Sequence, residues 1–175
     1  MIDFRSDTVT RPTPAMREAM MGARVGDDVF GEDPTIQELE QKMAALFHLP
    51  AALFCPSGTM TNQIAIKAHT RPGEEVICSD LAHVYVYEGG GIAFNAGCQA
   101  RTLPGDLGRL TASSIEAAVN PDDLHRPPTS LVCLENTVNR GGGSCYDQAG
   151  MQAIRKVCDR RGLRLHLTGQ DCLTP

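Results

Sequence analysis

The sequence predicts an α/β fold with a mostly parallel sheet and helices on both faces. Short apolar runs of strand length alternate with segments of helical period along most of the chain. Apolar residues make up 42% and charged residues 21% of the 175 positions, an ordinary globular balance that excludes a disordered chain. With no tryptophan and 5% aromatic residues, the core must be aliphatic.

The first 33 residues are polar, and Pro14 to Gly22 predicts a short helix. Gly26-Asp27-Asp28-Val29-Phe30-Gly31-Glu32-Asp33 follows as an ordered loop, whose four acids around two glycines need something to hold them. Asp33-Pro34 starts the next helix, with Asp as N-cap and Pro in the first position. Ile36, Leu39, Met43 and Leu46 give it one apolar face. Ala51 to Cys55 is expected to be a buried strand, Pro56 to Thr59 a turn, and Met60 to His69 a helix. Glu75 to Cys78 is the second strand, ended by Ser79-Asp80. Gly89-Gly90-Gly91 marks flexible or closely packed backbone. Thr111 to Val119 predicts a helix, with Ser113 and Glu116 in capping-box spacing. Ser130 to Leu134 is the third strand. Gln148 to Arg161 is a helix, with Met151, Ile154, Val157 and Cys158 on one face and Gly162 as its stop. Leu163 to Leu167 is the fourth strand.

The 16 basic and 21 acidic residues leave a net charge of −5, which argues against a nucleic-acid binder. No apolar run approaches a membrane span, and the acidic N-terminus is no secretory signal. The seven cysteines are scattered and odd in number, fitting neither a disulfide framework nor a zinc site. They read as small buried hydrophobes of a reduced, cytoplasmic protein.

Ligands of parallel sheets bind beyond the carboxyl ends of the strands. Ser57-Gly58-Thr59 is the first candidate there: small residues at a helix N-terminus offer free N–H groups to an anion. An ordinary N-cap turn is the alternative. His83, with Tyr85, Tyr87 and Glu88 after it, could stack on a planar cofactor or move a proton, or be structural. Glu135-Asn136-Thr137 follows the third strand as a site or a turn. His125 lies in a polar stretch of surface character.

Taken together, four segments resemble the low-specificity, pyridoxal-phosphate-dependent L-threonine aldolases. They are Asp3-Phe4-Arg5-Ser6-Asp7-Thr8-Val9-Thr10-Arg11-Pro12-Thr13, Val25 to Thr35, Pro56-Ser57-Gly58-Thr59-Met60 and Leu134-Glu135-Asn136-Thr137. The resemblance runs from Met1 to Leu167. It implies the aspartate-aminotransferase-like fold, here an incomplete fold type I large domain. It implies that Ser57, Gly58 and Thr59 cradle the cofactor phosphate, and that His83 stacks on the pyridine ring near the substrate hydroxyl. Ser6 would help bind the substrate carboxylate, and His125 would lie near the substrate side chain. The loop from Asp28 to Asp33 would border the site at a dimer interface, in a homo-oligomer of two or four subunits. The implied reaction cleaves L-threonine or L-allo-threonine to glycine and acetaldehyde, with the cofactor as electron sink. A β-eliminating lyase of the same fold is a further alternative.

Two positions depart from the family pattern: Val138 replaces a histidine that often follows Glu-Asn-Thr, and Phe30 stands where some members have tyrosine. The larger departure follows Leu167. The family continues with Asp-Gly-Ala-Arg and, later, the Schiff-base lysine. Here Thr168 to Pro175 follows, and the only lysines are Lys42, Lys67 and Lys156. Read one base back, codons for residues 168–175 permit Asp-Gly-Ala-Arg-Leu-(Ser/Pro)-Asn-Ala, so the sequence predicts an out-of-frame tail after a one-base loss. The expected organisation is an arm and active-site loop at 1–33, a partial cofactor domain at 34–167 and that tail. Such a chain is expected to lack activity alone, the alternative being a non-catalytic remnant that associates with intact homologous subunits.

Overall fold

A computed structural model describes residues 7–169, in two compact units that divide between Phe54 and Cys55. Ser6 and the tail beyond Gly169 lie outside the described residues.

The first unit is built by local hydrogen bonds. Helix α1 (Pro14–Gly22) starts at Thr13, whose hydroxyl accepts from the Met16 N–H at 3.2 Å. The acidic loop holds itself together. Asp27 caps the turn Asp28–Phe30 by accepting from the Val29 N–H, and Gly31 leaves it at φ 67°, a conformation that glycine adopts without strain. Asp33 is buried and accepts from Thr35 and Ile36 at 2.9 Å and from Gly26 at 3.1 Å. The N–H groups of Ile36 and Gly26 hold its carboxyl below the usual range. A Cβ on Gly26 would collide with the Glu32 carbonyl, so the loop closes only around a glycine.

Helix α2 (Pro34–Leu46) begins at Asp33 as expected. Its predicted apolar face is only half covered: Leu39 and Leu46 are exposed, and no residue of α2 is buried. The helix falls within the first compact unit. Thr35 Oγ1 donates to the Arg24 carbonyl at 2.6 Å, and the Phe54 N–H donates to Glu40 at 2.7 Å. The expected strand at 51–55 does not form. No strand of the described chain runs beside it, so it has no ladder, and Leu53 and Phe54 are exposed. A short apolar run alone cannot settle that question.

The second unit is a four-stranded parallel sheet in the order β2-β1-β3-β4. Its elements are α3 (Gly58–His69), β1 (Glu75–Ser79), α4 (His83–Val86), α5 (Gly91–Ala96), β2 (Gln99–Leu103), α6 (Ala112–Ala118), β3 (Thr129–Glu135), α7 (Gln148–Arg161) and β4 (Arg164–Thr168). The central strands β1 and β3 bury both faces, hence their continuous apolar runs. On one face Val76, Cys78, Leu131 and Cys133 pack with Ile66 of α3, Val84 of α4 and Ile92 of α5. On the other, Ile77, Val132 and Leu134 pack with Ile115 of α6 and Ile154 and Val157 of α7. The alternation follows the two-residue period of a strand.

Strand β2 has no counterpart among the predicted elements, because Gln-Ala-Arg-Thr-Leu at a sheet edge shows little apolar signal. Thr168, the first residue of the predicted tail, ends β4 in register with Glu135. The capping box of α6 pairs Thr111 with Ser114, not Ser113 with Glu116. Glu116 instead binds Arg160 and Arg161 of α7. Four of the six described cysteines are buried, and burial pushes the Cys78 thiol up to about 12. Among the described residues no helix is long and apolar enough to cross a membrane.

Candidate active site

The strand order places a switch point between β1 and β3. From β1 the chain crosses to β2 on one side, then returns to β3 on the other. The loops leaving the carboxyl ends of β1 and β3 therefore diverge and leave a crevice, the position where open α/β sheets bind ligands. His83 follows β1, and Glu135 is the last residue of β3.

These two ends are joined. Buried Glu135 accepts the His83 backbone N–H at 2.6 Å through one oxygen and the Asn139 N–H at 2.8 Å through the other. The Asn136 side chain accepts from the Tyr146 N–H at 2.8 Å. Glu135-Asn136 thus braces the loop after β3 as well as the start of α4.

The His83 ring is half-buried. Its Nδ1 lies 2.9 Å from Glu88 Oε1, whose side chain is wholly buried. The ring tilts against Tyr87 at 5.5 Å, and Tyr87 accepts from Arg140 at 2.7 Å. Glu88 also accepts from Asn62 at 2.8 Å and Gln63 at 2.5 Å, both on α3. Asn62 Oδ1 meets His166 Nε2 of β4 at 3.0 Å. Burial and the neighbouring His69 push the His166 imidazole below its ordinary range, with Glu88 opposing. A Cβ on Gly91 would strike the Gln63 carboxamide, so a larger residue there would have to displace the side chain that donates to Glu88.

Ser57 is the N-cap of α3 and accepts from the Met60 N–H at 3.1 Å. The first-turn N–H groups of Gly58 and Thr59 have no acceptor within the helix and face an exposed surface. Nothing lies within 4 Å of where a Cβ on Gly58 would stand, so the first residue of the helix is uncrowded. Asn62 is four residues further on, about 6 Å along the axis. Helix α3 therefore ties this anion-ready end to the carboxylate that holds His83.

His125 is not brought to this site. It is exposed, in the loop before β3, and its N–H donates to Asp123 at 2.9 Å. Strand β3 has seven residues, roughly 20 Å at ~3.3 Å each, and separates it from the Glu135 end. Of the lysines in this unit, Lys67 lies in the last turn of α3, away from Ser57. Lys156 is exposed on α7, whose buried residues pack on the opposite face of the sheet from α3, α4 and α5. Lys42, in the first unit, pairs with Glu38 at 2.5 Å.

Asn62, Gln63 and His166 escaped notice in the sequence, and Glu88 stood out only as a neighbour of His83. A signal existed: Asn62 shares a helix face with buried Ile66 four residues on, a polar residue where an apolar one fits the pattern.

Residues 3–170 match the model of a family described as β-eliminating lyase. The chain is 44% identical over 172 residues to low-specificity L-threonine aldolase 1 of Arabidopsis thaliana, covering 96% of this chain and 48% of that protein. It is 41% identical over 170 residues to the low specificity L-threonine aldolase of Escherichia coli K12, covering 97% and 50%. The chain thus spans about half the length of these relatives. A solved structure of Leishmania major threonine aldolase superposes with a TM-score of 0.74 at 29% identity, over 87% of this chain and 44% of that one.

Proposed function

The chain belongs to the β-eliminating lyase family, and from that premise we propose that it carries part of a pyridoxal-phosphate site for aldol cleavage of threonine-like β-hydroxy-α-amino acids. The observation that carries this reading is the link from the open N-terminus of α3, through Asn62, Gln63 and Glu88, to His83 at the switch point.

The residues fit the cofactor at two places. The Gly58 and Thr59 N–H groups and the Thr59 hydroxyl suit its phosphate, and the positive end of the α3 dipole adds to them. The half-exposed His83 ring suits stacking against its pyridine. When bound, the cofactor supplies a conjugated ring that accepts the electron pair released at Cα. In a complete site His83 would take the proton of the β-hydroxyl as the Cα–Cβ bond breaks and the aldehyde leaves, and a proton returned to Cα would complete glycine. Ser6 is proposed to bind the substrate carboxylate. His125, at the opposite end of β3 from Glu135, is proposed to act near the substrate side chain of a neighbouring subunit.

The fit fails at the third place. A lysine must reach the cofactor aldehyde, and neither Lys67 nor Lys156 stands at the His83 end of the sheet. The 175-residue chain is therefore proposed to bind the cofactor without a covalent link and to release no glycine. A second reading, a non-catalytic partner for intact homologous subunits, is favoured by the exposed Val29, Phe30 and Leu53.

Titration with pyridoxal phosphate tests both. The expected result is saturable binding, weakened in Thr59→Val, with no lysine trapped by borohydride and no glycine from threonine. Absence of saturable binding would refute the cofactor site. Borohydride trapping on one lysine, with glycine release, would refute the proposed inactivity.

A further inference from the structure

We infer that Glu88 is a positioning residue that fixes the tautomer of His83, with the proton on Nδ1 and Nε2 left as the proton acceptor, and that Asn62 extends the constraint to His166. The inference rests on the reading of His83 as a site residue. It follows from counting donors and acceptors around one buried side chain.

Three groups converge on the two Glu88 oxygens: Asn62 Nδ2 and His83 Nδ1 on Oε1, and Gln63 Nε2 on Oε2. The amide groups have no choice of orientation. Gln63 Oε1 is already taken by the Asn95 side-chain N–H at 3.1 Å. An Asn62 oxygen turned towards Glu88 would set two acceptors face to face. As a carboxylate Glu88 is an acceptor alone, and the His83 nitrogen beside it then donates. That leaves the lone pair on His83 Nε2, which meets no hydrogen-bond partner among the described residues.

The same count continues outward. With Asn62 Nδ2 on Glu88, Asn62 Oδ1 faces His166 Nε2, which must carry its own proton. The two histidines are thus locked in opposite tautomers by one Glu–Asn pair. A proton leaving a substrate hydroxyl is then received by His83 Nε2, while the Nδ1 proton stays on its bond to Glu88. The positive charge gained by the ring arises beside a buried carboxylate, which favours the transfer.

Long-range proton–nitrogen correlation spectra of the histidine rings, recorded above pH 8 with no cofactor added, test this. The same shifts are readable from sedimented protein by magic-angle spinning, so association of the chain does not affect them. His83 and His166 signals are assigned by their loss in His83→Asn and His166→Gln. Expected are a protonated Nδ1 on His83 and a protonated Nε2 on His166. In Glu88→Gln a single acceptor oxygen faces three donors, so the His83 nitrogen shifts move towards each other as both tautomers populate. A proton on Nε2 of His83 in the wild-type chain overturns the inference without any variant. So does a folded Glu88→Gln protein with unchanged His83 signals. Neither outcome touches cofactor binding, which has its own titration.

Discussion

The two units of this chain are held by different physics. The first unit has caps, turns and a self-closing acidic loop, yet among described residues 8–54 the one buried is Asp33. Residues 55–169 have two apolar layers, one on each face of a parallel sheet, with Ile66, Ile77, Ile115, Leu131 and Ile154 wholly buried. Local hydrogen bonds can specify a shape, but each contributes only about 1 kcal/mol net. Burial of apolar surface is what overcomes chain entropy. Val25, Val29, Phe30 and Leu53 in the first unit are more than half exposed, so its shape is specified by groups that contribute little to its stability.

Core truncation gives the largest expected contrast. Ile115→Ala, beneath the sheet, costs about 3 kcal/mol in urea unfolding of the second unit. Leu39→Ala on α2 stays within about 0.5 kcal/mol, because the leucine is already exposed. Equal costs would break the comparison. Next comes the buried polar staple at the amino end of the sheet. Glu75 accepts from Gln99 at 3.0 Å and from Asn120 and Thr129 at 3.1 Å. Glu75→Ala strands these donors and is expected to cost about 2 kcal/mol by the same measurement.

A smaller effect depends on pH. The His166 imidazole titrates below its unfolded value of about 6.5, so within that window the unfolded chain binds more protons. Stability of the second unit is therefore full above pH 6.5 and falls as pH drops through and below it. His166→Gln flattens that slope; an unchanged slope would place the titration elsewhere. The smallest effect sharpens the contrast from the other side. Asp33→Ala raises amide hydrogen exchange at Gly26, Thr35 and Ile36, which lose their acceptor, and leaves β1 and β3 protected.

What the sequence made legible follows the same division. Helices α1 and α7 match their expected bounds, because proline starts and a glycine stop act on the residues beside them. Strands β1, β3 and β4 were legible from their apolar runs, and the turn at Ser57 from its cap. The error at 51–55 and the missing β2 have one cause. Strand identity depends on a neighbour, and neither an apolar run without one nor a polar run beside one announces it locally. The site was half legible for the same reason. His83 and Ser57 follow local rules, whereas the Glu88 cluster is defined only by side chains brought together from four separate elements.

The bond between Asn62 and His166 joins residues 104 positions apart. Its formation is therefore an event in time as well as in space. Strand β4 pairs with β3, Leu131 opposite Arg164, and non-local parallel pairing of this kind is slower than helix formation. During synthesis, His83, Glu88 and Asn62 all emerge well before the residue that completes their network. The Asn62–His166 end of the Glu88 network is thus completed only once β4 has been made.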